Sequence, residues 1–204
     1  MTDYIGKFIV FEGIDGCGKG TQLKLVHNYL WNLSKNIDIY STREPTRAYK
    51  EIRERMAKGK DVKKDAEWYA QMFVQDRWNH VRELIKPALA KGVTVLCDRY
   101  KYSTLAYQHT QGLKLQGLIK NHNGLLVPDL TMIFDCPAKI AFERRKKEGA
   151  TDVFDRDLEF QEKLRQNYLK LKKALPDDNI VIIDGSKSIE DVFVDVKKEL
   201  ENRF

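Results

Sequence analysis

The chain has 204 residues, 42% of them hydrophobic and 32% charged, with a formal net charge of +6. That length can bury a core of its own, and the composition is that of a globular domain rather than a disordered or fibrous chain. No apolar run approaches the roughly 20 residues that span a bilayer. The opening Met1-Thr2-Asp3-Tyr4-Ile5 lacks the character of a signal peptide, so a single cytoplasmic domain is expected over residues 1–204.

Strands and helices alternate along the chain. Near-continuous apolar runs predict strands at Lys7–Glu12, Ile37–Ser41, Val93–Asp98, Leu130–Asp135 and Ile180–Asp184. Amphipathic stretches between them predict helices at Gly20–Ser34, Tyr49–Lys58, Lys64–Lys91, Tyr100–Gln108, Leu113–Asn121, Ala138–Lys147, Asp157–Ala174 and Ile189–Asn202. Pro87 is expected to end the third helix near Leu84 and leave a short one to Lys91. This is the pattern of an α/β fold built on a parallel sheet. Between two charged helices, Glu148–Asp155 holds Gly149, Ala150 and Thr151 and reads as a mobile loop.

Three cysteines, Cys17, Cys97 and Cys136, make an odd count with no metal-ligand spacing, which supports neither a disulfide framework nor a zinc site. Cys97 and Cys136 read as small hydrophobes, and Cys17, inside a Gly-rich loop, as partly exposed. The positive balance fits polyanionic partners such as phosphorylated small molecules. A nucleic-acid role has no motif behind it. The basic runs Lys58–Lys64 and Arg144–Lys147 read first as solvated helix faces.

Phe8-Ile9-Val10-Phe11-Glu12 leads into Gly13-Ile14-Asp15-Gly16-Cys17-Gly18-Lys19-Gly20-Thr21. A strand, a Gly-rich turn, a lysine and a helix start form the context of a phosphate-binding loop. The glycines turn backbone N–H groups inward, the helix N-terminus adds its dipole, and Lys19 brings a full charge to the β- and γ-phosphates of ATP. Gly20 stands where most such loops carry a hydroxyl for Mg²⁺, and Thr21 follows one place later. Adenylate kinases resemble this chain in the run Gly-Lys-Gly-Thr-Gln. The cation is expected to be held more through water and phosphate oxygens.

The third strand ends in Asp98-Arg99-Tyr100, at the ligand edge of a parallel sheet. Asp98 suits a water-bridged Mg²⁺ and Arg99 a bidentate phosphate contact, although surface ion pairing explains such a pair equally well. The whole run Asp98-Arg99-Tyr100-Lys101-Tyr102-Ser103-Thr104-Leu105-Ala106-Tyr107-Gln108 resembles the signature of thymidylate kinases. Phe11–Gly16, Thr42-Arg43-Glu44-Pro45, Phe73-Val74-Gln75-Asp76-Arg77, Val127-Pro128-Asp129-Leu130 and Ile183-Asp184-Gly185 match that family in the same order.

The resemblance implies a five-stranded sheet in the order 2-3-1-4-5 with helices on both faces, ATP as co-substrate with Mg²⁺, dTMP as acceptor, and a homodimer. It implies that Asp15, Arg43 and Arg99 hold the dTMP phosphate, that Phe73 stacks on thymine, and that Arg77 donates to a thymine oxygen. Ser103 and Gln108 would meet the base edge, Tyr100 would exclude a ribose 2′-hydroxyl, and Tyr107 would wall the pocket. Adenine would lie near Gly185–Ser188. From the residues alone, Phe73 reads as a core aromatic and Arg77 as a helix ion pair with Asp76 neighbours or Glu83.

Some thymidylate kinases carry an arginine inside the Gly-rich loop, where this chain has Gly16 and Cys17. The resemblance therefore points to a lid, roughly 144–156, as the source of a catalytic arginine. Family lids often hold an Asp-Arg pair, but Asp152 is followed by Val153, so Arg144, Arg145 and Arg156 stay open as candidates. Two other readings stand beside this one: a kinase for dUMP, UMP or AMP, and a nucleotide-binding regulator without turnover.

Overall fold

The computed structural model describes residues 5–57, 65–147, 149, 157–201 and 203. Five parallel strands, β1 (Phe8–Glu12), β2 (Ile39–Arg43), β3 (Thr94–Asp98), β4 (Leu130–Asp135) and β5 (Ile180–Asp184), lie in the order β2-β3-β1-β4-β5, with helices on both faces. The expected order is the one observed. β1 sits between β3 and β4, and its five residues are all buried, which explains why it reads as an unbroken apolar run. β2 runs two residues further than the sequence suggests. It is a half-exposed edge strand, and its polar end Ser41–Arg43 becomes strand only through register with Leu96–Asp98 of β3.

The helices are α1 (Lys19–Leu33), α2 (Lys50–Ala57), α3 (Ala66–His80), α4 (Lys86–Ala90), α5 (Lys101–Thr110), α6 (Leu115–Lys120), α7 (Ala138–Lys147), α8 (Leu158–Ala174) and α9 (Ile189–Glu201). Pro87 does not break the chain as expected. One π-helical turn, Val81–Ile85, joins α3 to α4, and the Lys86 N–H bonds to Val81 O. A wider turn lets the helix continue past a residue that lacks an N–H and crowds the preceding turn.

Each strand ends in an ionisable residue: Glu12, Arg43, Asp98, Asp135 and Asp184. The parallel registers place all five at one edge of the sheet. Beyond β3, helix α5 begins at this edge and is stapled to the α8–β5 turn. There Lys101 Nζ lies 2.6 Å from Asp178 Oδ2, and the Tyr102 hydroxyl donates to the same oxygen at 2.9 Å. Both side chains of the ion pair are buried. Replacing Lys101 by Met should leave Asp178 charged without its partner and lower stability by about 3 kcal/mol. Adding Asp178→Asn should restore most of it. Urea unfolding midpoints test this, and an unchanged midpoint in the single variant would show that the pair is not buried in solution.

Candidate active site

The Gly-rich loop between β1 and α1 is shaped by close approaches. Gly13 and Gly16 have φ of 135° and 84°, and Gly18 has φ of 95°, in the left-handed half that disfavours a side chain. A Cβ on Gly16 would lie 2.3 Å from Ala141 O and 2.9 Å from Cγ of Arg145, so α7 rests directly on the loop. Cys17 is only 1% exposed, which corrects the expectation of partial exposure. Its thiol points into the core, and burial raises its pKa. Ile14 is buried, while Gly20 is open and Thr21 exposed along the cleft.

Lys19 Nζ donates to Asp15 Oδ1 at 2.9 Å and to Ile14 O at 3.4 Å. Arg99 Nη2 donates to the same Asp15 oxygen at 2.6 Å. Partial burial pushes the Asp15 pKa up, but Arg99 and Lys19 outweigh it and hold the carboxyl well below the usual range. Arg99 has φ of 73°, a conformation a non-glycine residue rarely takes. Its N–H bonds to Phe11 O at 2.9 Å, which fixes that turn at the sheet edge.

Behind Arg99 lies Glu12, fully buried on β1. Its Oε1 accepts from the backbone N–H groups of Tyr100 (2.7 Å) and Ser103 (3.1 Å), and its Oε2 from the hydroxyls of Ser103 (2.7 Å) and Tyr168 (3.2 Å). Burial raises the Glu12 pKa, against the pull of Arg99 and these donors. Ser103 therefore does not present its hydroxyl to a pocket edge as expected. It donates to Glu12 and accepts from Arg99 Nη1 at 3.0 Å. The Tyr107 ring lies under Arg99, 5.4 Å from its guanidinium, and its hydroxyl donates to Asp15 Oδ2 at 3.4 Å.

Arg77 on α3 is buried in a second cluster. Its Nε donates to Glu44 Oε2 at 2.6 Å, Nη1 to Thr104 Oγ1 at 3.3 Å and His122 Nε2 at 2.8 Å, and Nη2 to Tyr100 O at 3.0 Å. Its ion-pair partner is thus Glu44, 33 positions away, not a residue of its own helix. Asp76 is committed elsewhere, to the N–H and hydroxyl of Thr46. Tyr100 is 0% exposed, with its hydroxyl donating to Leu126 O at 3.0 Å and its ring edge-on to Phe8. That placement corrects the expected pocket role: Tyr100 is a core residue. Phe73 is half-buried and stacks on Tyr69 at 5.7 Å. Gln108 is buried, with Nε2 donating to Gln111 and Oε1 left without a partner.

Glu44, His80 and Cys97 offer ligand atoms within 4.8 Å of one another. They are already engaged: His80 Nδ1 with Glu44 at 3.0 Å, its Nε2 with Thr42 Oγ1 at 2.9 Å, and the Cys97 thiol with Arg99 O at 3.0 Å. Burial and neighbouring carboxylates raise the Cys97 pKa well above normal, keeping the thiol protonated, which is unsuited to a metal.

A cleft of about 1210 Å³ runs along the loop, lined by Lys19, Arg43, Arg47, Arg53, Arg144 and Arg145, with Asp15 and Asp98 as its acids. Arg43, 72% exposed, stands 3.7 Å from Asp98 Oδ2, while Asp98 Oδ1 is buried without a partner. Arg144 does not reach for the loop. Its guanidinium donates to the carbonyls of Gly185 (2.7 Å), Ser186 (3.2 Å) and Lys187 (3.1 Å), so its expected catalytic role gives way to bracing the β5–α9 turn. Arg145 lies over Gly16 instead. Arg156, Val153 and most of the expected lid lie outside the described residues, as does the basic run Lys58–Lys64.

The family model for thymidylate kinase matches residues 11–196. The chain belongs to the thymidylate kinase family. It is 42% identical over 198 residues to a probable thymidylate kinase of Pyrococcus horikoshii, covering 94% of each chain. It is 39% identical to a thymidylate kinase of Carboxydothermus hydrogenoformans over 96% of this chain and 97% of that one. A thymidylate kinase of Thermosipho africanus is 38% identical over 201 residues.

In this thymidylate kinase family member, Asp15, Lys19, Arg99 and Tyr107 form one cluster, while Arg77 and Tyr100 belong to the buried one beside it. The sequence reading missed Glu12 as a hub, and Thr104, His122 and Tyr168 as partners. Glu12 carried a signal, a charge ending an apolar strand; Tyr168 and His122 carried none.

His122 Nδ1–H donates to Leu118 O at 2.7 Å, so its Nε2 is the acceptor for Arg77. Burial and the Arg77 charge push its pKa from 6.5 down to about 3. The unfolded chain takes up that proton first. Stability should therefore be intact above pH about 6.5 and fall on acidification by up to about 1.4 kcal/mol per pH unit. His122→Asn should flatten that slope between pH 6 and pH 4 in urea titrations. An unchanged slope would assign the acid loss to other groups.

Proposed function

We propose that the chain transfers the γ-phosphoryl group of ATP to the 5′-phosphate of dTMP, giving dTDP and ADP for dTTP supply. The observation that carries this reading is the Lys19–Asp15–Arg99 cluster at a cationic cleft, in a chain of the thymidylate kinase family. The attacking group is an already ionised phosphate oxygen, so catalysis needs positioning and charge neutralisation rather than a strong base. Lys19 and the loop N–H groups suit the ATP phosphates. Arg99, with Arg43 at the end of the neighbouring strand β2, suits the acceptor phosphate.

Among the described residues of the expected lid, Arg145 suits neutralising the transferring group. Its stem crosses Gly16, the part of the loop where some relatives carry an arginine of their own. Arg144 and the Gly185–Lys187 carbonyls form one wall for the adenine. Phe73 suits a thymine face and Arg77 a thymine carbonyl oxygen. With Arg77 bound to Glu44, Thr104, His122 and Tyr100, few of its donors are left for a ligand, which favours a single base oxygen. Tyr107, rather than Tyr100, walls the sugar side.

Asp98 fits a hydrated Mg²⁺, since its buried Oδ1 has no protein partner at the cleft. Bound there, the cation would offset phosphate charge, and Asp98 would help hold it where Gly20 has no hydroxyl to do so. The reading includes a cytoplasmic homodimer. Trp78, 39% exposed on α3, is a residue of the kind such an interface covers, and no described helix is long and apolar enough to cross a membrane.

Incubation with ATP, Mg²⁺ and each of dTMP, dUMP, UMP, CMP, AMP and GMP should give ADP fastest with dTMP. Arg99→Ala should lower kcat/KM by about 100-fold or more. Faster turnover of another monophosphate would overturn the roles of Phe73 and Arg77. ATP binding without turnover would overturn the kinase reading itself.

A further inference from the structure

We propose that Tyr168 is a positioning residue: from α8 it sets the orientation of Arg99 and, through Tyr107, of Asp15. The inference rests on Arg99 serving as the phosphate grip. Tyr168 is fully buried, and its hydroxyl sits where three groups converge. Arg99 Nη1 lies at 3.2 Å, Ser103 Oγ at 3.0 Å and Glu12 Oε2 at 3.2 Å. The chemistry gives two of these contacts a direction. Glu12 is a carboxylate acceptor, so the Tyr168 O–H donates to it, and the oxygen lone pairs remain for the Arg99 N–H.

Arg99 needs such a support. Its backbone stands at φ 73°, and its Nη1 has two acceptors, the hydroxyls of Ser103 and Tyr168. Ser103 follows Arg99 on the same segment and moves with it. Tyr168 comes from α8, which packs against α5 from a distant part of the chain, and provides an independent reference point. The Tyr168 ring also stands edge-on to Tyr107, with centroids 6.4 Å apart, and the Tyr107 hydroxyl reaches Asp15.

The height of Tyr168 along the sheet is fixed by its neighbours on α8. One turn earlier, Arg165 holds Asp135 at the end of β4 through both carboxylate oxygens, at 2.5 and 3.0 Å. Beside it, Asn167 Nδ2 donates to Thr110 Oγ1 of α5 at 2.9 Å. These anchors tie α8 to both the central sheet and the helix that carries Ser103 and Tyr107. A tyrosine there for packing alone would not need its hydroxyl among three charged or polar partners.

The test is a double-mutant cycle with Tyr168→Phe and Arg99→Ala, read as kcat and KM for each substrate and as dTMP affinity by calorimetry. Tyr168→Phe keeps the ring and its packing, and its urea midpoint checks folding. In the wild-type background the variant should lose about ten-fold in dTMP affinity or kcat/KM, the scale of one hydrogen bond to a charged group, with KM for ATP unchanged. In the Arg99→Ala background the same change should cost nothing further. Equal losses in both backgrounds, or no loss in the first, would overturn the proposal and leave the Arg99 reading standing. Full turnover by Arg99→Ala alone would overturn that reading and the proposal with it.

Discussion

The ligand edge of this fold depends on one buried carboxylate. Glu12 closes the central strand and has no exposed surface, a position that is costly unless every lone pair finds a donor. Its backbone donors come from the start of α5, the N–H of Tyr100 and that of Ser103, which it shares with Tyr100 O. Glu12 thus caps a helix 88 residues away while tying down the hydroxyls of Ser103 and Tyr168. Because α5 is seated on β1 in this way, Arg99 is held in its unusual backbone conformation, and Asp15 meets both Arg99 and Lys19.

Two charge clusters follow from that seating. One, Lys19–Asp15–Arg99, is open to the cleft, and Asp15 keeps 40% of its side chain exposed. The other, Arg77–Glu44–His122, is closed. Its cation is balanced by a carboxylate and extended by a histidine that stays neutral. Thr104 and Tyr100, on the segment that bears Arg99 and Ser103, join the second cluster to the first.

Much of the architecture is legible in the sequence because burial on both faces leaves a simple trace. β1, β3, β4 and β5 are apolar runs ending in a charge, and the Gly-rich loop announces itself by composition. The edge strand β2 is less legible, since pairing with β3 rather than hydrophobicity defines its end. Pro87 misleads because a π-helical turn absorbs it. At the site, residue types indicate chemistry but not partners. Arg77, Arg144 and Ser103 each look available in the sequence, and each is claimed by a group far along the chain. Tyr100, expected at the pocket, proves to be core, and Tyr168 is core with a polar task that its sequence position does not signal.

The neutrality of the Arg77 cluster has a consequence for how a molecule can lie in the groove. Lys19, Arg43, Arg47, Arg53 and Arg145 crowd one stretch of the cleft, with Asp15 and Asp98 as its acids among the described residues. The buried Arg77 cluster, its charge matched by Glu44, adds no surplus charge to that field. A molecule with an anionic head and an uncharged, hydrogen-bonding tail therefore meets a field that turns it one way only. Polarity along the groove, rather than shape alone, makes a backwards entry unfavourable before any contact is formed.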